Sequence, residues 1–186
     1  MKHSLQELAD RTRIVETMAR YARGIDRRDW ELVRSVFFED ATSNHGDFKG
    51  SRDEFVDWIS ERHASITRSS HYLCNCIVDF VAGDKAIVET YFIARMRIGP
   101  QDGGHRAMLV GNDPSEEGGD LIVEVCGRYA DRFEKREGDW RIARRITIFD
   151  FSASQPAPPV QDNPLWAHGV RGPADPLYHH YGGTAG

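Results

Sequence analysis

The sequence carries imidazoles and carboxylates but no serine or cysteine in a recognisable nucleophile setting, so the chemistry open to it is proton transfer. Two such groups stand at informative places: Asp26 near the end of a first helical stretch, and His71 beside Ser69 and Ser70 at the start of an extended one. An imidazole with its ordinary pKa of about 6.5 takes and returns protons near neutrality. Tyr21 lies five residues before Asp26, so on a helix the two side chains point about 140° apart and share a pocket only if the helix end runs along its rim. Arg128 stands among Arg132, Arg136, Arg141, Arg144 and Arg145, and strand alternation puts it on one side with Arg132 and Glu124; Arg145 is the substitute if that alternation is broken. Each residue also has an ordinary role. A helix-terminal aspartate caps or is solvated, a lone histidine is a hydrogen-bonded surface group, a tyrosine packs in a core, and a row of arginines is a solvated, ion-paired face.

Other constellations are missing. Cys74, Cys76 and Cys126 are odd in number and lack C-x-x-C spacing, so they read as small buried hydrophobes. His179 and His180 are adjacent and cannot both face one ion from a regular element, and neither H-E-x-x-H nor an EF-hand pattern occurs. No G-x-G-x-x-G or phosphate loop is present. No metal and no cofactor are therefore expected.

The elements that must position these residues follow from hydrophobic period. Leu5, Leu8, Ala9, Val15, Met18, Ala22 and Ile25 recur at helical spacing after a Ser4/Glu7 capping box. A shorter helix is predicted around Trp30–Phe37, then a weak strand at 41–45. A third helix opens on a second capping box, Ser51 with Glu54, with Phe55, Trp58, Ile59 and Ile66 as its apolar side. Beyond residue 68 the texture turns extended: His71–Val81 and Ile87–Ile98 around a turn at 82–85, then Leu121–Arg136 and Trp140–Phe151 around Glu137-Gly138-Asp139. The Gly-, Asp- and Pro-rich stretch 99–119 reads as a loop, its glycines as a flap at a pocket mouth. Helices followed by antiparallel strands indicate an α+β domain over 1–151; 152–186 is a proline- and aromatic-rich tail expected to pack over the domain or a neighbouring subunit.

The run Tyr21-Ala22-Arg23-Gly24-Ile25-Asp26-Arg27-Arg28-Asp29-Trp30, the stretch Phe37-Phe38-Glu39-Asp40-Ala41 and the Gly50-Ser51-Arg52 helix entry resemble the opening of SnoaL-like proteins of the nuclear transport factor 2-like superfamily. Gly127-Arg128-Tyr129 and Gly138-Asp139-Trp140-Arg141-Ile142-Ala143-Arg144-Arg145 are similar to their last hairpin, so the likeness spans about residues 5–151. The resemblance implies a cone-shaped, curved antiparallel sheet covered by N-terminal helices. In the dehydratase and dehydrochlorinase branch an aspartate ending the first helix pairs with a histidine on the strand after the third, the places held here by Asp26 and His71. It further implies Tyr21 and Arg128 as pocket residues. On this reading His71 is the base, Asp26 fixes its tautomer, Tyr21 donates to a departing hydroxyl or a carbonyl, and Arg128 meets developing negative charge.

The expected function is a cofactor-independent lyase for a hydroxylated aromatic or polycyclic small molecule, by dehydration or by retro-aldol release of an aldehyde. Trp58, Tyr91, Arg145 and Phe149 are the predicted substrate-binding residues. A ketosteroid-type isomerase and a non-catalytic binding or dioxygenase small-subunit-like protein are the alternatives. His71 buried away from any cavity would favour the last of these. A net charge of −5 gives no footprint for nucleic acid, and no apolar run is long enough for a membrane helix or secretory signal, so a cytoplasmic protein is expected. A homodimer or homotrimer is expected through the outer face of the last hairpin.

Overall fold

The computed structural model describes residues 4–100, 119–160 and 163–180. Helix α1 spans Leu5–Arg27, where Ser4 Oγ accepts from the Glu7 N–H, and ends on Arg28 at φ 55°. Helix α2, Trp30–Ser35, is capped by Asp29. Strands β1 (Phe37–His45) and β2 (Phe48–Ser51) form a hairpin that turns at Gly46, φ 66°. Helix α3, Arg52–Arg62, begins with both halves of the Ser51/Glu54 capping box made. Then come β3 (Ile66–Ala82), β4 (Lys85–Ile98), β5 (Leu121–Arg136) and β6 (Asp139–Pro156), and a short C-terminal α4, Pro176–His180.

The strands make one unclosed, curved sheet in the order β2-β1-β6-β5-β4-β3, antiparallel throughout except for β1 beside β6. Alternation sets its two faces. Along β4, Ala86, Val88, Thr90, Phe92, Ala94, Met96 and Ile98 are buried against the helices, and their neighbours point out. From α1, Ile14, Met18, Tyr21 and Ile25 press into this concave face. The result is the predicted α+β cone.

Local differences from expectation have physical causes. Phe37 and Phe38 are both buried at the start of β1, so the second helix stops at Ser35. Ile66 faces the core from β3, not from α3. The four-residue strand β2, whose residues alternate half-buried and exposed, was not among the predicted elements. Strand β6 carries two register shifts against β5, which leave Ala143 and Asp150 without partners. The first restarts the alternation, so Ile142 and Arg145 both face inward although three residues apart. Residues 101–118 of the loop and flap lie outside the described residues.

Beyond β6 the chain returns to the helices. Arg68 donates to the Gly169 carbonyl, and buried Asp175 accepts from the N–H groups of Val170 and Leu177 and pairs with Arg27 at 3.5 Å.

Candidate active site

Asp26 sits one residue from the end of α1, and β3 passes beside it as an edge of the sheet. Alternate N–H groups of an edge strand have no strand to pair with. That of His71 donates to Asp26 Oδ2 at 2.9 Å, while His71 Nδ1 lies 2.7 Å from Asp26 Oδ1 and Ser69 Oγ donates to Oδ1 at 2.7 Å. Ser69 and His71, two apart on one strand, thus face the same carboxylate. Burial works to raise the Asp26 pKa, but the His71 ring, its charge and backbone, and Ser69 outweigh it and hold the carboxyl below its usual range. An anionic acceptor at Nδ1 puts the neutral ring's proton there and leaves the lone pair on Nε2.

His71 lines a small internal cavity of about 40 Å³ with Tyr21, Ile25, His45, His63, Phe92 and Tyr129 among its walls. His45, Arg62, Val125 and Phe149 line both this space and an outer hollow of about 290 Å³. The outer hollow is near the lower end of the roughly 300–1,000 Å³ usual for small-molecule sites. His71 therefore stands on a cavity wall, with Asp26 behind it.

Tyr21 is 1% exposed and reaches the cavity edge-on to Tyr129 and Phe37. Burial, opposed by Arg145, raises its phenol pKa, so it enters the cavity as a neutral donor. Arg145 lies deeper. Its guanidinium is sandwiched between the rings of Tyr21 (4.1 Å) and Tyr129 (4.2 Å) and makes a bidentate pair with Asp131 at 2.8 and 2.7 Å, both side chains shut from solvent. It supports the wall and does not line the cavity. Phe149, 42% exposed, borders the cavity and its outer hollow. Trp58 stands behind the wall, stacked on Phe48 and edge-on to His45, with Arg62 over its ring.

Arg128 and Tyr91 require a correction. They are partners across β4 and β5 on the outer face, where Arg128 bonds Glu89 at 3.0 Å, approaches Asp150 at 3.7 Å and covers the Tyr91 ring. Neither lines the cavity. Alternation grouped Arg128 correctly with Glu124 and Arg132, but that side is the convex one; the inward residues of β5 include Val125, Tyr129 and Asp131.

Among the wall and support residues not anticipated are His45, Arg62, His63 and Arg171. His45 continues the inward positions Ala41 and Ser43 of β1, and His63 continues the Phe55–Ile59 stripe of α3, so both lay within reach of a period argument. Burial, with nearby arginine charge, pushes both imidazoles well below their usual range. Arg62 precedes His63 at the helix end. Arg171 comes from the tail, which has no period: it donates to the carbonyls of Ile25 (2.8 Å), Asp26 (2.9 Å) and Ile66 (2.7 Å), and Arg28 donates to those of His63, Ala64 and Ile66. Two guanidinium groups thereby hold the negative end of α1 against the start of β3.

Among the described residues no group of three or more His, Cys, Asp or Glu side chains could hold a metal, and no helix is long and apolar enough to cross a membrane.

Comparison with known proteins agrees with this fold. A model of the SnoaL-like domain matches residues 6–146. A candidate scytalone dehydratase from Novosphingobium aromaticivorans superposes with a TM-score of 0.63 at 22% identity, covering 84% of this chain and 96% of that one. A type 2 hexachlorocyclohexane dehydrochlorinase gives 0.66 at 17%, covering 87% and 97%. A hexachlorocyclohexane dehydrochlorinase from Novosphingobium barchaimii gives 0.65 at 17%, covering 83% and 99%. No curated protein matches the sequence.

Proposed function

The chain belongs to the family of SnoaL-like domains, and from that footing we propose that it is a cofactor-independent lyase acting on a small hydroxylated or aromatic molecule. One observation carries this reading: the 2.7 Å contact between Asp26 Oδ1 and His71 Nδ1, made by a histidine on the wall of a cavity. The carboxylate would hold the imidazole in the tautomer whose Nε2 can accept a proton and would stabilise the imidazolium that results. Tyr21 supplies a neutral phenol on the same wall, and Phe149 an aromatic rim.

A carboxylate base of the ketosteroid type is less suited. Asp26 accepts three hydrogen bonds and has a lowered pKa, which makes it a weak base and a good orienter. Similarity to dehydratase and dehydrochlorinase folds supports elimination over isomerisation.

The test is a panel of hydroxylated aromatic, terpenoid and steroid compounds incubated with the protein in chelator and scanned by mass spectrometry for loss of water or release of an aldehyde. Turnover by the wild-type protein that disappears in His71→Gln is expected. Equal turnover by both would remove the base and the reading with it.

A further inference from the structure

A second imidazole in the cavity has its tautomer set by the C-terminal segment. His63 follows α3, is 4% exposed, and lines the cavity with His71 and Tyr21. Arg171 Nη2 lies 2.9 Å from His63 Nδ1. A guanidinium has donors only, so this contact requires a lone pair on Nδ1 and leaves the single ring proton on Nε2. Arg171 is itself fixed, because its remaining N–H groups hold the carbonyls of Ile25, Asp26 and Ile66.

The surroundings keep that ring neutral. Arg171 from the tail, Arg62 beside it on α3, His71 on β3 and His45 on β1 all face it, and burial with these charges pushes its pKa well down. Arg28, after α1, binds the His63 carbonyl, and the uncharged Trp30 ring of α2 packs edge-on to the imidazole. His63 and His71 are thus complementary: the first offers N–H at Nε2, the second a lone pair.

We propose that His63 is a catalytic hydrogen-bond donor whose Nε2–H holds the carbonyl oxygen of the substrate while His71 removes the neighbouring α proton, with Arg171 as the positioning residue that fixes this tautomer. The proposal rests on His71 being the base and narrows the substrate to a β-hydroxy carbonyl compound. His71 Nε2 takes the α proton, the C–H pair becomes the C=C of an enolate, and the carbonyl π pair moves to the oxygen held by His63. The carbonyl then re-forms, a double bond arises between the α and β carbons, and the β C–O bond breaks. The leaving hydroxide takes the proton from the His71 imidazolium and departs as water. Both histidines end as they began. A neutral imidazole donor meets an oxyanion without surrendering its proton, the role such a ring plays in enolate chemistry.

Nitrogen NMR on the full chain labelled at histidine reads the tautomer without any substrate. The expected wild-type spectrum has His63 protonated at Nε2, bare at Nδ1 and unchanged between about pH 5.5 and 8, with a tautomer mixture appearing in Arg171→Met. A proton on Nδ1, or titration near the ordinary value in the wild-type protein, overturns the proposal. The kinetic probe is the aldol of benzaldehyde and acetone, followed by formation of the conjugated enone. His63→Ala should lower kcat by about 10²–10³-fold with KM changed less than about threefold, and His63→Gln, whose amide still donates, should recover part of the loss. No conversion of the aldol by the wild-type protein also overturns it. Full activity in His63→Ala with none in His71→Gln would sink the donor and leave the base; the reverse pattern would sink the base.

Discussion

In the proposed reaction Asp26 would act through the hydrogen bonds it accepts, so a substitution that keeps its size but not its charge isolates that role. Asp26→Asn should lower kcat by about 10²–10⁴-fold, because an amide can donate to His71 Nδ1 and favour the wrong tautomer. The same residue ties the site to acid stability. Its folded pKa is depressed, so its contribution is present above the ordinary carboxylate value and is lost as the pH falls through the lower folded one. His45 and His63 act at milder pH. Both are neutral when buried, while the unfolded chain binds protons below about pH 6.5, so stability declines from there downward by up to about 1.4 kcal/mol per pH unit for each histidine. Urea midpoints should fall between pH ~7.5 and ~5.5, less steeply in His63→Gln; a flat profile would contradict the neutral, buried state of these rings. In the sequence these two histidines were visible only as continuations of a stripe and an alternation. Asp26 and His71, 45 residues apart, could be paired only through the family resemblance.

At the scale of elements, nearly every helix and strand was legible because each buries one side at a regular period. The period does not say which side of a sheet is hollow, so it gave no check on Arg128, placed in the pocket by the family resemblance, or on Tyr91, placed there as aromatic surface. The bulge at Ala143 had no sequence signal either, yet it turns Arg145 inward to meet Asp131. Arg145→Met should cost about 3–5 kcal/mol in thermal or urea unfolding, since it leaves the Asp131 carboxylate buried without a partner. The double change with Asp131→Leu should cost clearly less than that. Gly127 marks the other register shift. A Cβ there would come within 2.2 Å of the Ile148 carbonyl oxygen and 3.1 Å of the Phe92 ring, so Gly127→Ala should destabilise by about 1–3 kcal/mol or more and disturb the wall beside Tyr129.

At the scale of the whole molecule, the sheet separates two surfaces. Its concave side holds the cavity, and its convex side exposes Tyr72, Ile77, Ile87 and Tyr91. These exposed apolar residues lie on β3 and β4, not on the last hairpin where self-association was expected; we propose self-association through this part of the convex face, so that sedimentation should give a dimer or trimer and Ile77→Lys with Ile87→Lys should shift the mass toward the monomer. The tail was the least legible part, since its prolines and aromatics show no period, but Arg171 in it touches the carbonyls that end α1. Every catalytic role proposed for this cavity depends on the Asp26–His71 contact. The most direct measurement is kcat for wild type, His71→Gln and Asp26→Asn on one compound that the wild-type protein converts. Loss of turnover in the first variant and a fall of about 100-fold or more in the second is predicted, with unchanged folding; wild-type rates in both would contradict it.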